Sequence, residues 1–101
     1  MKASSNLGLE ETNILEQEFI VSNKLGIHAR VAAQIVKVAS QFRCEVWISR
    51  SGNRVNGKSI LEVLTLACPH GSKIRISVNG PDAFDALNAL AALFQAKFGE
   101  S

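Results

Sequence analysis

The stretch KLGIHARVAAQ, residues 24–34, sets a histidine between a glycine and a run of helix-forming residues, with an arginine two positions on. A helix beginning at Ala29 or Arg30 places His28 at its N-cap, where the first-turn N–H groups lack intrahelical acceptors and carry the positive end of the helix dipole. A neutral imidazole held there is a nucleophile able to attack a phosphoryl group. Those N–H groups and a charge-assisted bond from Arg30 would then stabilise the product. Each such contact contributes about 0.5–3 kcal/mol, enough to hold a labile phosphoryl group without trapping it. Local chemistry alone also fits a plain helix-capping histidine, and both readings stand at this point. No acidic triad partner, second metal ligand or nucleophilic serine lies nearby in sequence, so hydrolase and metalloenzyme readings find no support and no cofactor is implied.

A second position of interest is Ser59, which with Glu62 fits the Ser-x-x-Glu capping box, in which hydroxyl and carboxylate satisfy orphan backbone donors reciprocally. The start of a helix also accepts a phosphate well, so the same serine fits a phosphorylation switch. Cys44 and Cys68 cannot make a zinc site alone and have no redox-pair spacing, which leaves two small, buried, free thiols. His70, in CPHGS, reads as a turn residue, and Trp47 as a packing residue, since no second aromatic accompanies it on its strand.

The elements that must position these residues are legible from periodicity. EFIVSN is a short β-branched and aromatic stretch ending in a turn at Asn23 to Gly26, and it delivers the chain to His28. Over residues 29–42, Ala32, Ile35, Val36, Ala39 and Phe42 fall on one helical face. CEVWISR alternates and pairs across SGN with RVN, and SKIRISVNG alternates again through Ile74, Ile76 and Val78. The last helix carries Phe84, Leu87, Leu90, Ala91, Phe94 and Phe98 on one stripe, with Asp82 to cap its start and Gly99 its end. The order β, α, β, β, α, β, α predicts an α+β fold with all helices on one face of an open sheet.

The middle helix, SILEVLTLA, is unusually apolar: Ile60, Leu61, Val63, Leu64, Leu66 and Ala67 span an arc of roughly 220°. One sheet cannot cover that width. Either neighbouring loops and helices cover the remainder, or it is a docking surface.

With 101 residues and 47% hydrophobic content, the chain suits one domain. Residues 1–17, polar and aperiodic, read as a flexible extension, and residues 18–101 as the folded domain. A net charge of +2 falls short of the concentrated positive field of a nucleic-acid binder. The longest apolar run, residues 89–94, is far below the roughly 18 needed to span a membrane. The opening MKASSNLGLEETN has no apolar signal core, so a cytoplasmic location is expected.

GIHAR, followed by small residues and an amphipathic helix, resembles the active-site motif of HPr, the histidine-containing phosphocarrier family of the bacterial sugar phosphotransferase system. NGKSILEVLTLA is similar to that family's regulatory-serine region, and the resemblance runs from about Glu18 to Glu100. It implies an open-faced two-layer sandwich, with three helices on one face of a four-stranded antiparallel sheet. It further implies that His28 accepts phosphate on a ring nitrogen from phosphorylated enzyme I and passes it to IIA proteins or domains. The protein would be a monomeric carrier and covalent intermediate, not an enzyme. Arg30 would steady the phosphoryl group, with Ala29 and Arg30 offering backbone N–H groups. Ile60, Leu61 and Leu64 would face partners while Val63, Leu66 and Ala67 pack inward. Ser59 matches the serine that an ATP-dependent HPr kinase/phosphorylase modifies in some relatives, which makes a serine-controlled regulatory module the alternative reading. One departure stands out: Val31 occupies a position where the family usually has proline. Losing a pre-set first-turn residue costs about 0.4–1 kcal/mol through the unfolded state, less than the combined phosphate contacts.

Overall fold

The computed structural model describes residues 14–101. In chain order the elements are β1 (Ile14–Ile20), α1 (Ala29–Ala39), β2 (Glu45–Arg50), β3 (Asn53–Asn56), α2 (Ile60–Thr65), β4 (Lys73–Asn79) and α3 (Ala83–Gln95), followed by a short turn at Lys97–Gly99. The strands form one antiparallel sheet in the order β1-β4-β2-β3. Register follows side-chain alternation: Val46 and Ile48 of β2 lie opposite Val78 and Ile76 of β4, and Val55 of β3 opposite Ile48. Because period two sends all of these to one face, they build a buried floor. Val31, Ala32, Ile35 and Ala39 of α1, Val63 of α2 and Ala83, Ala86, Leu87, Leu90 and Phe94 of α3 close over it. The outer face stays polar, with Arg75 bonded to Glu18 at 2.9 Å, Ser77 to Glu16 at 2.8 Å, and the Arg54 guanidinium 4.3 Å from the Trp47 ring centroid. The expected α+β open-faced sandwich is the observed one.

Several boundaries move, each for a physical reason. The first strand starts at Ile14, ahead of the Glu18 expected, because residues 14–17 join the sheet through backbone pairing with residues 76–79 while all four stay exposed. Residues 1–13 of the expected extension lie outside the described residues. The middle helix is shorter than SILEVLTLA: Ala67 leaves it at φ 50°, and Arg50 Nη1 donates to the carbonyls of Leu66 at 3.2 Å and Ala67 at 2.8 Å. Ala67 is therefore exposed, not packed inward, whereas Val63 and Leu66 are buried. The first helix ends at Ala39, with Phe42 half-buried in the following turn.

In the last helix Phe84 is off the stripe and 68% exposed, because Ala83, one step round the helix, takes the inward position. Phe98 is buried, but in the turn beyond the helix. Asp82 occupies the N-cap position without a side-chain capping bond. Its carboxylate accepts instead from the backbone N–H groups of Arg43 (2.8 Å) and Cys44 (2.9 Å), which ties α3 to the start of β2 and holds the Asp82 pKa below its ordinary value. Gly80 permits that approach: a Cβ there would sit 2.7 Å from Cys44 Cα. Helix α3 ends at Gln95, before the expected Gly99, which lies at φ 75° in the closing turn.

Candidate functional site

His28 is brought to its place by a turn and held by a helix. Asn23 Nδ2 donates to the Gly26 carbonyl at 2.8 Å, Gly26 takes φ 72°, and Ile27 N–H donates to the Cys68 carbonyl at 2.8 Å. A side chain at position 26 would run into that carbonyl and lie 2.9 Å from Pro69 Cα, so glycine is required by both conformation and space. His28 is then the N-cap of α1, with extended backbone and its carbonyl accepting from Ala32 N–H at 2.9 Å. Its ring makes no capping bond. The plain capping histidine is not what the structure shows.

The ring instead points Nε2 at Glu100, 3.0 Å from Oε1 and 3.1 Å from Oε2. Arg30 Nη2 donates to Glu100 Oε2 at 2.6 Å, and Asn23 Nδ2 donates to Oε1 at 2.9 Å. Glu100 is thus largely covered, His28 about a third exposed and Arg30 mostly exposed. The Glu100 carboxyl is held below its ordinary pKa, first by the Asn23 amide bond, then by the His28 bond, with the Arg30 charge contributing. An ionised carboxylate only accepts hydrogen bonds. The Nε2 facing it therefore carries the ring hydrogen, and in the neutral ring the lone pair lies on Nδ1. The N–H groups of Ala29, Arg30 and Val31, all in the first turn of α1, have no intrahelical acceptor. Val31 keeps an N–H that proline would lack, and its side chain is fully buried.

The structure brings His28 and Arg30 together, through a residue the sequence analysis did not single out. Neither Glu100 nor Asn23 carries a local signal, since the bonds joining them span 72 and 77 positions. Leu25 was also missed: it is 71% exposed beside Gly26 and, with Arg30 and Glu100, lines a shallow cavity of about 270 Å³. Ser59 lies elsewhere, at the N-cap of α2, and among the described residues shares no hydrogen bond with this cluster. Only half of its capping box forms: Ser59 Oγ accepts from Glu62 N–H at 3.3 Å, but the Glu62 carboxylate turns to Asn56 N–H at 3.0 Å. Ile60 and Leu61 are exposed, 40% and 77%, and Leu64 is half-buried against the core. Cys44 and Cys68 are free and buried, and burial pushes both thiol pKa values up. His70 sits in an exposed turn.

A family model described as "PTS HPr component phosphorylation site" matches residues 15–96. The chain belongs to the HPr family. It is 44% identical over 87 residues to the phosphocarrier protein HPr of Xylella fastidiosa, covering 86% of this chain and 98% of that one. With the HPr of Treponema pallidum it shares 46% identity over 80 residues, 79% of this chain and 91% of the relative. Among solved structures, HPr from Thermoanaerobacter tengcongensis superposes with a TM-score of 0.83 at 37% identity, covering 86% and 98% of the two chains. The likeness is therefore of HPr to HPr over nearly the whole relative. An HPr is a phosphocarrier of the phosphotransferase system and not a catalytic enzyme.

Proposed function

We propose that this HPr carries a phosphoryl group as a covalent phosphohistidine on His28, taken from phosphorylated enzyme I in the cytoplasm and delivered to IIA proteins or domains. The observation that carries this reading is the engaged Nε2: with that nitrogen bonded to Glu100, Nδ1 is the lone-pair nitrogen of a ring standing at the start of a helix. In the transfer the Nδ1 pair attacks phosphorus, the Nδ1–P bond forms, and the bond from phosphorus to the donor breaks with its electrons leaving on the donor. The ring hydrogen stays on Nε2. Backbone N–H groups of Ala29 and Arg30, together with the helix dipole, receive the new negative charge. Arg30 spends Nη2 on Glu100, and among the described residues its other guanidinium donors have no hydrogen-bond partner. They are the donors assigned to the phosphoryl oxygens. Incubation with enzyme I and phosphoenolpyruvate should add one acid-labile phosphate to the wild-type protein and none to His28→Ala. A wild-type protein that gains none would sink the proposal.

Ile60, Leu61 and Leu64 are assigned to partner docking. Covering an exposed leucine such as Leu61 in a complex contributes at most about 1.5–3 kcal/mol. A monomer that binds its partners in turn has use for a small apolar patch of this kind, which gives modest and reversible affinity.

Regulation at Ser59 is a second reading, supported by its half-exposed position beside the exposed Ile60 and Leu61. A phosphate added there by an HPr kinase/phosphorylase would place a dianion next to the apolar patch and repel an acidic partner. ATP-dependent labelling of the wild type but not of Ser59→Ala is the expected result. Equal labelling of both would remove Ser59 as the site.

A further inference from the structure

On the flank of the His28 site, three stretches of chain meet around a cavity of about 410 Å³ lined by Ser22, Lys24, His70, Lys97 and Ser101. We propose that this cavity is a binding site for a small phosphorylated compound, whose phosphate dianion is received by Lys24, Lys97 and His70 and whose body occupies the remaining space. The volume lies within the range of small-ligand sites, about 300–1,000 Å³. The cavity is separate from the His28 centre, although the shallow one beside Arg30 and Glu100 shares Lys24 and Ser101 with it.

Charge decides the class of ligand. Every ionisable side chain that lines the cavity is basic, and none of the ion pairs among the described residues involves Lys24, His70 or Lys97. Like charges gathered around one depression leave a positive potential that concentrates anions. Two lysines without an arginine offer compact point charges and no planar fork, and a phosphate dianion gains from each of them twice what a carboxylate gains. The His70 imidazole has an N–H donor in either tautomer, and Ser22 adds a hydroxyl. Because the cluster is confined to one depression, it fits a small anion and not the repeating phosphates of a nucleic acid.

The backbone that carries these side chains is fixed in advance. Gly71 N–H donates to the Val21 carbonyl at 2.7 Å, Val21 N–H to the Ser72 carbonyl at 2.9 Å, and Lys24 N–H to a backbone oxygen of Ser101 at 2.5 Å, which ties the three stretches to one another. His70 stands between Pro69 and Gly71, whose φ of 89° turns the chain back to the Val21 bond. Lys97 opens a left-handed turn in which Lys97, Phe98 and Gly99 lie at φ 51°, 56° and 75°, a conformation that two non-glycine residues adopt only at a cost. Burial of Phe98 against Phe94 offsets its share. Lys97 is exposed and has no ion pair among the described residues to set against the same cost. A glycine would take this backbone without strain, so what the position gains is the lysine side chain itself.

The test is a titration of the full chain with glycerol 3-phosphate at one pH and low ionic strength, followed by NMR of backbone amides and imidazole rings, with inorganic phosphate and glycerol run alongside. The ester should shift the His70 ring and the Gly71 and Lys97 amides saturably, with a Kd of about 1–10 mM, as a few exposed charge contacts allow. Glycerol should shift none of them, and inorganic phosphate should bind more weakly than the ester. In Lys97→Gly the melting temperature should hold or rise, because glycine suits φ 51°, while the Kd rises about threefold to fivefold with the loss of one charge contact. Shifts at Ala29 and Arg30 with none at His70 and Gly71 would place the anion at the start of α1 and overturn the proposal. A wild-type Kd in Lys97→Gly would overturn it as well, and inorganic phosphate binding as tightly as the ester would overturn the ligand class.

Discussion

At the scale of single residues, the site divides into what one motif can announce and what only folding can assemble. His28 and Arg30 were legible because a glycine turn, a histidine and an arginine stand within five positions of one another at a helix start. Glu100 was not, since its contact with His28 joins positions 72 apart and no periodicity encodes such a meeting. Its depressed pKa makes a prediction about acid stability. A carboxylate held below its ordinary value of 4.5 stabilises the fold fully above that pH, and the contribution disappears as pH falls through the lower folded value. Melting temperatures of wild type and Glu100→Gln should therefore differ most at neutral pH and converge as pH falls through the lowered folded-state pKa of Glu100. A difference that stayed constant with pH would show that the ionised carboxylate is not what holds the cluster. Val31 belongs to this scale too. Its side chain is fully buried, so Val31→Ala should cost about 1–3 kcal/mol in denaturant unfolding. A cost below half of that would mean that its packing is dispensable.

At the scale of elements, periodicity named the three α-helices and the four strands of the described residues, and failed where backbone pairing or a distant side chain set the boundary. Residues 14–17 show no buried alternation because they are exposed and held by the ladder to β4. Asp82, which resembles a cap from sequence, is drawn away by two N–H groups of the chain before β2. The family resemblance implied that Ala67 packs inward, but the helix had already ended under the Arg50 guanidinium. The half-formed capping box of α2 has a measurable consequence. With only the Ser59 Oγ to Glu62 N–H bond at 3.3 Å to lose, Ser59→Ala should cost about 0.5–1 kcal/mol, at the low end for an N-cap. Leu61→Glu should behave in the opposite way. At 77% exposure it should leave the melting temperature unchanged while weakening enzyme I binding several-fold, read by titration calorimetry. Unaltered binding would remove Leu61 from the docking surface.

At the scale of the whole molecule, the site is maintained by contacts between the two ends of the described chain. Phe19 of β1 stacks on Phe94 of α3 with ring centroids 4.6 Å apart, and Phe98 meets Phe94 edge-on at 4.8 Å. This aromatic row ties the first strand to the last helix and then to the left-handed turn that carries Glu100. Burial of the Phe98 ring thus offsets the strain of that turn, and core and site share a support. Phe98→Ala should cost about 3–5 kcal/mol, as for other buried phenylalanines. It should also act locally, because with the anchor removed the turn relaxes from φ values that its backbone disfavours. The Lys24 amide, whose hydrogen bond ends on Ser101, would then exchange with solvent faster relative to the amides of the central strand β4, an increase beyond what global destabilisation produces. Parallel acceleration of Lys24 and β4 amides would mean that Phe98 supports the fold as a whole and holds the Glu100 turn no more than any other core residue does.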